Sequence, residues 1–193
     1  MVDEYNRQII KAQQIIEDQQ RFEQLITDIA SKTAQTKPDQ LESKINGVLR
    51  ILGQFFHVRL AFLAQFSKNL NKLHFTNIWV ADGKHPITCT YEIDSAAKIP
   101  KSGQHVRDDE LICSDTDQIG PLNGKPLSQM LESHGISDGM VVPIFVEGKL
   151  FGLLGLGSFT RPSEYPLANA DRLQIIADMI GPMLSRSYRR TLS

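Results

Sequence analysis

The segment "MVVPIFVEGKLFGLLGLGSF", Met140 to Phe159, restricts the fold more than any other part of the chain. Glu147-Gly148 is a turn signal between two apolar runs, so the segment reads as a β-hairpin. In its second strand Leu150, Gly152, Leu154, Leu156 and Ser158 share one face, and Phe151, Leu153, Gly155, Gly157 and Phe159 share the other. Both faces are apolar or small, so both need cover, and helices on each side of a sheet supply it. Gly155 and Gly157 fall together, where missing side chains would let a helix approach. A phosphate-binding loop is the competing reading of these glycines. It requires a helix directly after them, with its N-terminal amides facing the phosphate. Here "TRPSEYP" breaks the chain and no Lys-Ser/Thr pair follows Gly157. The segment is a hairpin.

The first 35 residues read as one helix, with Ala12, Ile15, Phe22, Ile26 and Ile29 at alternating four- and three-residue steps and Gln8 and Gln19 filling the remaining seam positions. A second stripe of Ile9, Ile10, Ile16 and Leu25 widens the apolar face. At 1.5 Å per residue such a helix reaches roughly 50 Å, more than one small domain covers. The expected cover is the same helix of a second copy, with Ile15, Phe22, Ile26 and Ile29 in the seam. An amphipathic helix then carries Leu41, Ile45, Val48, Leu49 and Leu52. Val58 to Phe66 and Lys72 to Val80 read as strands around the polar "SKNLN" turn. "TCTYEI" and "ELICSDT" are further short strands, and "PLNGKPLSQMLESHGI" is a loop feeding a short helix that Gly135 ends. The final helix carries Leu173, Ile176, Ile180 and Met183 in a second seam, with Ile176 and Ile180 assigned to dimerisation; Pro182 interrupts it.

Several function classes find no support. A formal net charge of −1 across 193 residues gives no electrostatic footprint for nucleic acid. No apolar run reaches the length of a membrane span, and "MVDEYNRQ" is not a secretory start. Cys89 and Cys113 form no disulfide framework, so a cytoplasmic setting is expected. No G-x-S-x-G elbow or H-E-x-x-H pair occurs, and the five histidines are scattered singly; neither catalysis nor a zinc site is expected. An axial haem histidine needs no local motif, so the cofactor stays unknown.

The stretch "HGISDGMVVPIFVEGKLFGLLGLGSFTRPSEYPLANADRLQIIADMIGPMLSR" resembles the C-terminal half of a GAF domain. The shared features are the "GI-x-x-x-x-x-VPI" strand, the "x-G-K-L-F-G" hairpin, a small-residue strand end and a closing helix. "LESKINGVLRILGQFFHVRLAFLAQF" resembles the family's first domain helix and first strand, and "LHFTNIWV", with Trp79, its second strand. The likeness spans roughly residues 20 to 190.

It implies an α+β fold, GAF/PAS-like: a central antiparallel sheet of about six strands, helices on both faces, and a long N-terminal helix. Residues 1–35 would be a linker and dimerisation helix, and 36–190 the GAF domain with its closing helix. It also implies a regulatory module that senses an unidentified small molecule and signals through its terminal helices. The assembly would be a parallel homodimer acting on an output domain or partner outside this chain, with no nucleic acid and no membrane involved. The pocket would be lined by Phe62, Phe66, Trp79, Cys113, Ser114, Asp115, Thr116, Leu127 and Leu131. Equally, Phe62 and Trp79 would be core in a ligand-free dimerisation and interaction module, and a third alternative is a thiol-based redox enzyme of this fold using Cys113.

Three carry-overs fail. Bilin-attaching members follow their cysteine with histidine, whereas Ser114 follows Cys113. The family's methionine sulfoxide reductases use closely spaced cysteines, which Cys89 and Cys113 are not. The Asn-Lys of "NLNKLHF" lacks the rest of the cyclic-nucleotide set.

Overall fold

A computed structural model describes residues 2–34, 37–69, 71–83, 90–92, 138–158 and 167–191. Among these, α1 (Val2–Thr33) is followed by a 3-10 turn (Pro38–Gln40) and α2 (Leu41–Phe55). Strands β1 (Leu60–Phe66), β2 (Lys72–Val80), β3 (Thr90–Glu92), β4 (Asp138–Val146) and β5 (Lys149–Ser158) come next, and α3 (Leu167–Thr191) closes the order. The strands form one sheet, β3-β2-β1-β5-β4, in which every pairing is antiparallel. Of about six expected strands, five are described; "ELICSDT" lies outside the described residues.

The quoted hairpin is β4 and β5, and it turns through Glu147 and Gly148, both at positive φ (53° and 75°). Two consecutive positive φ values match the right-handed twist of the flanking strands. Phe151 is an extra residue in β5, because Ile144 pairs with Gly152 and Phe145 with Leu150. This bulge breaks strict alternation, and Phe151 packs on the same side as Leu154 and Leu156. α2 ends by letting Val58 N–H donate to Gly53 C=O (3.0 Å) and His57 N–H to Gln54 C=O (3.4 Å). His57, at φ 53°, takes the left-handed position that reverses the chain into β1.

All three helices lie on one side of the sheet: α2 packs on β1 and β2, α3 on β4, and α1 on α2 and α3. Ala61, Leu63, Val142, Ile144, Leu154 and Leu156 point to that side and join one core with residues of α1, α2 and α3. The expected dimer seams meet a correction here. Ile29, Ile176 and Ile180 are fully buried, and Phe22 is nearly so, within this chain's own core. Ile26 is half-buried against the same core, and only Ile15, 70% exposed, is open to a partner. A three-four apolar stripe states that something covers the helix, not whether the cover is a second helix or the chain's own sheet. α3 also runs through Pro182 to Thr191.

The second half of α1 therefore belongs to the core, while residues 4–21 are exposed without interruption. At the boundary Arg172 of α3 pairs with Asp18, and its guanidinium lies 4.9 Å above the Phe22 ring. No helix among the described residues is long and apolar enough to cross a membrane. If α1 is divided in this way, Ile29→Ala costs about 2–5 kcal/mol in urea unfolding, as buried Ile truncations do. Ile10→Ala, on the exposed half, stays within about 0.5 kcal/mol. Equal losses at the two positions would contradict the division.

Candidate functional site

Register places the side chains of the opposite sheet face. Phe62 of β1 sits between Gly155 of β5 and Ile78 of β2, and Ala64 sits between Leu153 and Phe75. A Cβ at residue 155 would fall 2.1 Å from Phe62 Cζ, so the ring occupies the space that a side chain there would need. The sequence expectation that a helix fills the gap over Gly155 is corrected: a neighbouring strand's phenylalanine fills it. Phe75 stands 5.0 Å from Phe62 with the rings tilted by 45°, a separation at which aromatic pairs gain beyond simple burial. Leu60, Phe62, Ala64, Leu73, Val141 and Leu153 are all buried, yet none belongs to the helix-side core. The face is thus a second apolar surface, separated from the helices by the sheet.

Phe66 pairs with Leu73 at the far end of β1 and shares this face with Phe62; it is half-buried. Trp79 does not join them. It pairs with Ala61 and packs with the helix-side core, where its ring lies against α2. A Cβ on Gly53 would come within 1.9 Å of the indole, so the glycine is what admits it. The cause is a bulge: Leu63 pairs with Asn77 and Ala64 with Phe75, leaving Thr76 unpaired in β2, its Oγ1 donating to Leu63 C=O (3.3 Å). Had Thr76 paired with Leu63 instead, Trp79 would face Leu60 on the side of Phe62; a one-residue slip moves a side chain to the other face. Cys113, Ser114, Asp115, Thr116, Leu127 and Leu131 lie outside the described residues.

The sheet is joined to α2 by a second contact beside Trp79. Asn77, 7% exposed, donates through Nδ2 to Asn46 Oδ1 at 3.0 Å. A side-chain pair of this kind fixes the relative position of strand and helix more narrowly than apolar packing does. Sequence reading did not find it, because an isolated Asn on a helix and one on a strand carry no pattern.

A concavity of about 690 Å³ lies on the helix side, between α1 and the end of α2. Leu25, Phe55 and Phe56 line it with Arg21, His57 and Asp28. Phe55 meets Phe56 edge-on at 5.0 Å and Phe22 at 6.0 Å. The adjacent Phe55-Phe56 pair at a helix end was its only sequence signal.

On this geometry Gly155→Ala must push the Phe62 ring aside, an overpacking cost of about 1–3 kcal/mol. Phe62→Leu combined with Gly155→Ala should cost less than the sum of the single changes, because the smaller side chain vacates the contested space. Thermal or urea unfolding of the four-member cycle reads the coupling, and strict additivity would contradict the packing.

No curated protein matches the chain. Among solved structures, the phycoerythrobilin-bound GAF domain from a cyanobacterial phytochrome is 13% identical, with a TM-score of 0.62 over 88% of this chain and 97% of that one. A free methionine-R-sulfoxide reductase from Neisseria meningitidis is 16% identical, with a TM-score of 0.61 over 88% and 91%. The GAF domain of an Acinetobacter phosphoenolpyruvate-protein phosphotransferase is 10% identical, with a TM-score of 0.61 over 90% and 98%. At these identities the likeness is one of fold, and it includes sensory and enzymatic proteins alike. The sequence model of the GAF domain matches residues 40–183. With three quarters of its length so matched and the sheet and helices in place, the chain belongs to the GAF domain family.

Proposed function

We propose that the chain is a regulatory sensor: a small molecule held over the Phe62–Phe75 face biases the helices on the other side of the sheet. The observation that carries this reading is the division of the sheet itself. One face is an aromatic and aliphatic surface outside the helix-side core, and the other carries α2 and α3, on which α1 packs in turn. A ligand that binds two arrangements of the sheet with different affinity shifts their populations, and no other transfer of energy is needed. Trp79 against Gly53 and Asn77 to Asn46 supply the mechanical link from β2 to α2.

An apolar floor supplies area, whereas orientation of a ligand needs a few polar groups. In the proposal Ser114, Asp115 and Thr116 provide them, with Cys113, Leu127 and Leu131 completing the wall and Phe66 at its end. The signal leaves through the terminal helices to an output domain or partner beyond this chain, in a homodimer and in the cytoplasm, without nucleic acid, membrane contact or catalysis. The bilin-bound and reductase neighbours support a ligand-sized space in this fold. The Cys113-Ser114 pair and the separation of Cys89 from Cys113 argue against carrying over either chemistry.

A second reading, a GAF module that binds partners without a ligand, is favoured by one observation: Phe62 is 1% exposed and already fills the gap over Gly155. Native mass spectrometry of freshly purified protein, beside its denatured mass, separates the two. The sensor reading expects reproducible added mass that is lost on denaturation. A clean mass from every preparation, with no small molecule recovered in the extract, would favour the ligand-free module.

A further inference from the structure

The concavity between α1 and the end of α2 lies on the helix side of the sheet, away from the Phe62–Phe75 face, and the sensor reading gives it no role. Its volume of about 690 Å³ falls within the range of small-molecule sites, about 300–1,000 Å³. Leu25, Ile51, Phe55 and Phe56 supply apolar area, each of them in the helix-side core or packed against it. The polar groups around them decide what chemistry fits.

Those groups divide by whether they already have partners. Asp18 is held by Arg172, whose guanidinium also covers the Phe22 ring. Asp28 accepts a hydrogen bond from Gln24 Nε2 at 2.9 Å. The side chains of Arg21, Gln54 and His57 have no hydrogen bond or ion pair among the described residues. Both acids lining the groove are thus satisfied, and what remains is a guanidinium, an amide and an imidazole. The guanidinium can only donate, so it calls for an acceptor that the groove does not supply. Asp28 lies seven residues from Arg21 on the same helix, roughly 10 Å along the axis, where salt screens its effect on an anion beside Arg21. His57 is a second sign. It takes a left-handed φ of 53° just after α2, a position that glycine usually fills. Histidine there brings an imidazole to the groove, which glycine would not.

We propose that this groove is a second small-molecule site, one that takes a small aromatic carboxylate. The ring lies against Phe55 and Phe56, and the carboxylate meets Arg21, with Gln54 and His57 at the rim. Phe55 and Phe56 meet edge-on at 5.0 Å, and a flat ring extends that packing. The fork of the Arg21 guanidinium matches the two oxygens of a carboxylate. Such a ligand touches α1 and α2 beside Arg172 of α3, at the point where α1 joins the domain. It acts on helix packing directly, and it does not depend on a ligand over Phe62.

Isothermal titration of the full chain with 2-naphthoate, beside its neutral counterpart 2-naphthamide, tests the proposal. Saturable one-to-one binding of naphthoate is expected, with naphthamide weaker on the order of tenfold, as loss of a charge-assisted hydrogen bond implies. Arg21→Gln should weaken naphthoate by a similar factor and leave naphthamide and the unfolding temperature unchanged, since Arg21 is exposed. Gln54→Glu should weaken naphthoate and Gln54→Lys tighten it, a reversal that general apolar adsorption does not produce. Naphthoate binding that is absent, equalled by naphthamide, or indifferent to the Arg21 and Gln54 changes would overturn the site. None of these changes touches the Phe62–Phe75 face, so the sensor reading is tested separately by the mass of the purified protein.

Discussion

A strand that is apolar on both faces cannot be left against water on either, and β5 is such a strand at the interior of the sheet. Its Leu154 and Leu156 demand the helices, while Leu153 and Gly155 demand something on the opposite side. The rest of the architecture follows from satisfying both requirements at once. α2, α3 and the second half of α1 meet the first. Phe62, leaning from β1 over Gly155, meets part of the second and creates the aromatic floor on which the functional reading rests.

That division is what the proposed regulatory reading would use. The two apolar layers share strands, so a displacement of β2 on one side is felt on the other through Trp79 and the Asn77–Asn46 hydrogen bond. α1 then has two roles along one helix. Phe22, Leu25 and Ile29 make it part of the core, Asp18 is still tied to α3 through Arg172, and residues 4–17 are exposed. A helix anchored at one end with about 21 Å of free length transmits rotation more faithfully than a loop would.

Much of the fold was legible in the sequence where the period of the pattern was decisive. The β4–β5 hairpin and β2 emerge with nearly the expected bounds, because two-residue alternation and the Glu147-Gly148 turn leave little freedom. The helix seams are ambiguous for a physical reason: Ile176 and Ile180 show the same spacing whether they face a partner helix or their own sheet, and the structure puts them in the core. The face of Trp79 is not legible in "LHFTNIWV", because nothing there announces that Thr76 has no place in the pairing with β1. Of the expected pocket, Phe62 and Phe66 do share a face, and Phe75 joins them through its pairing with Ala64.

The central claim is that the Phe62–Phe75 face is the floor of a ligand site. A crystal structure of the protein as purified from cells tests it most directly. The account predicts a small molecule in contact with Phe62 and Phe75, with its polar groups met by side chains from the 113–131 segment. If this chain's own side chains fill the space over Phe62 and Phe75 completely, with no room for a ligand, the claim is contradicted and the domain is a scaffold for its helices alone.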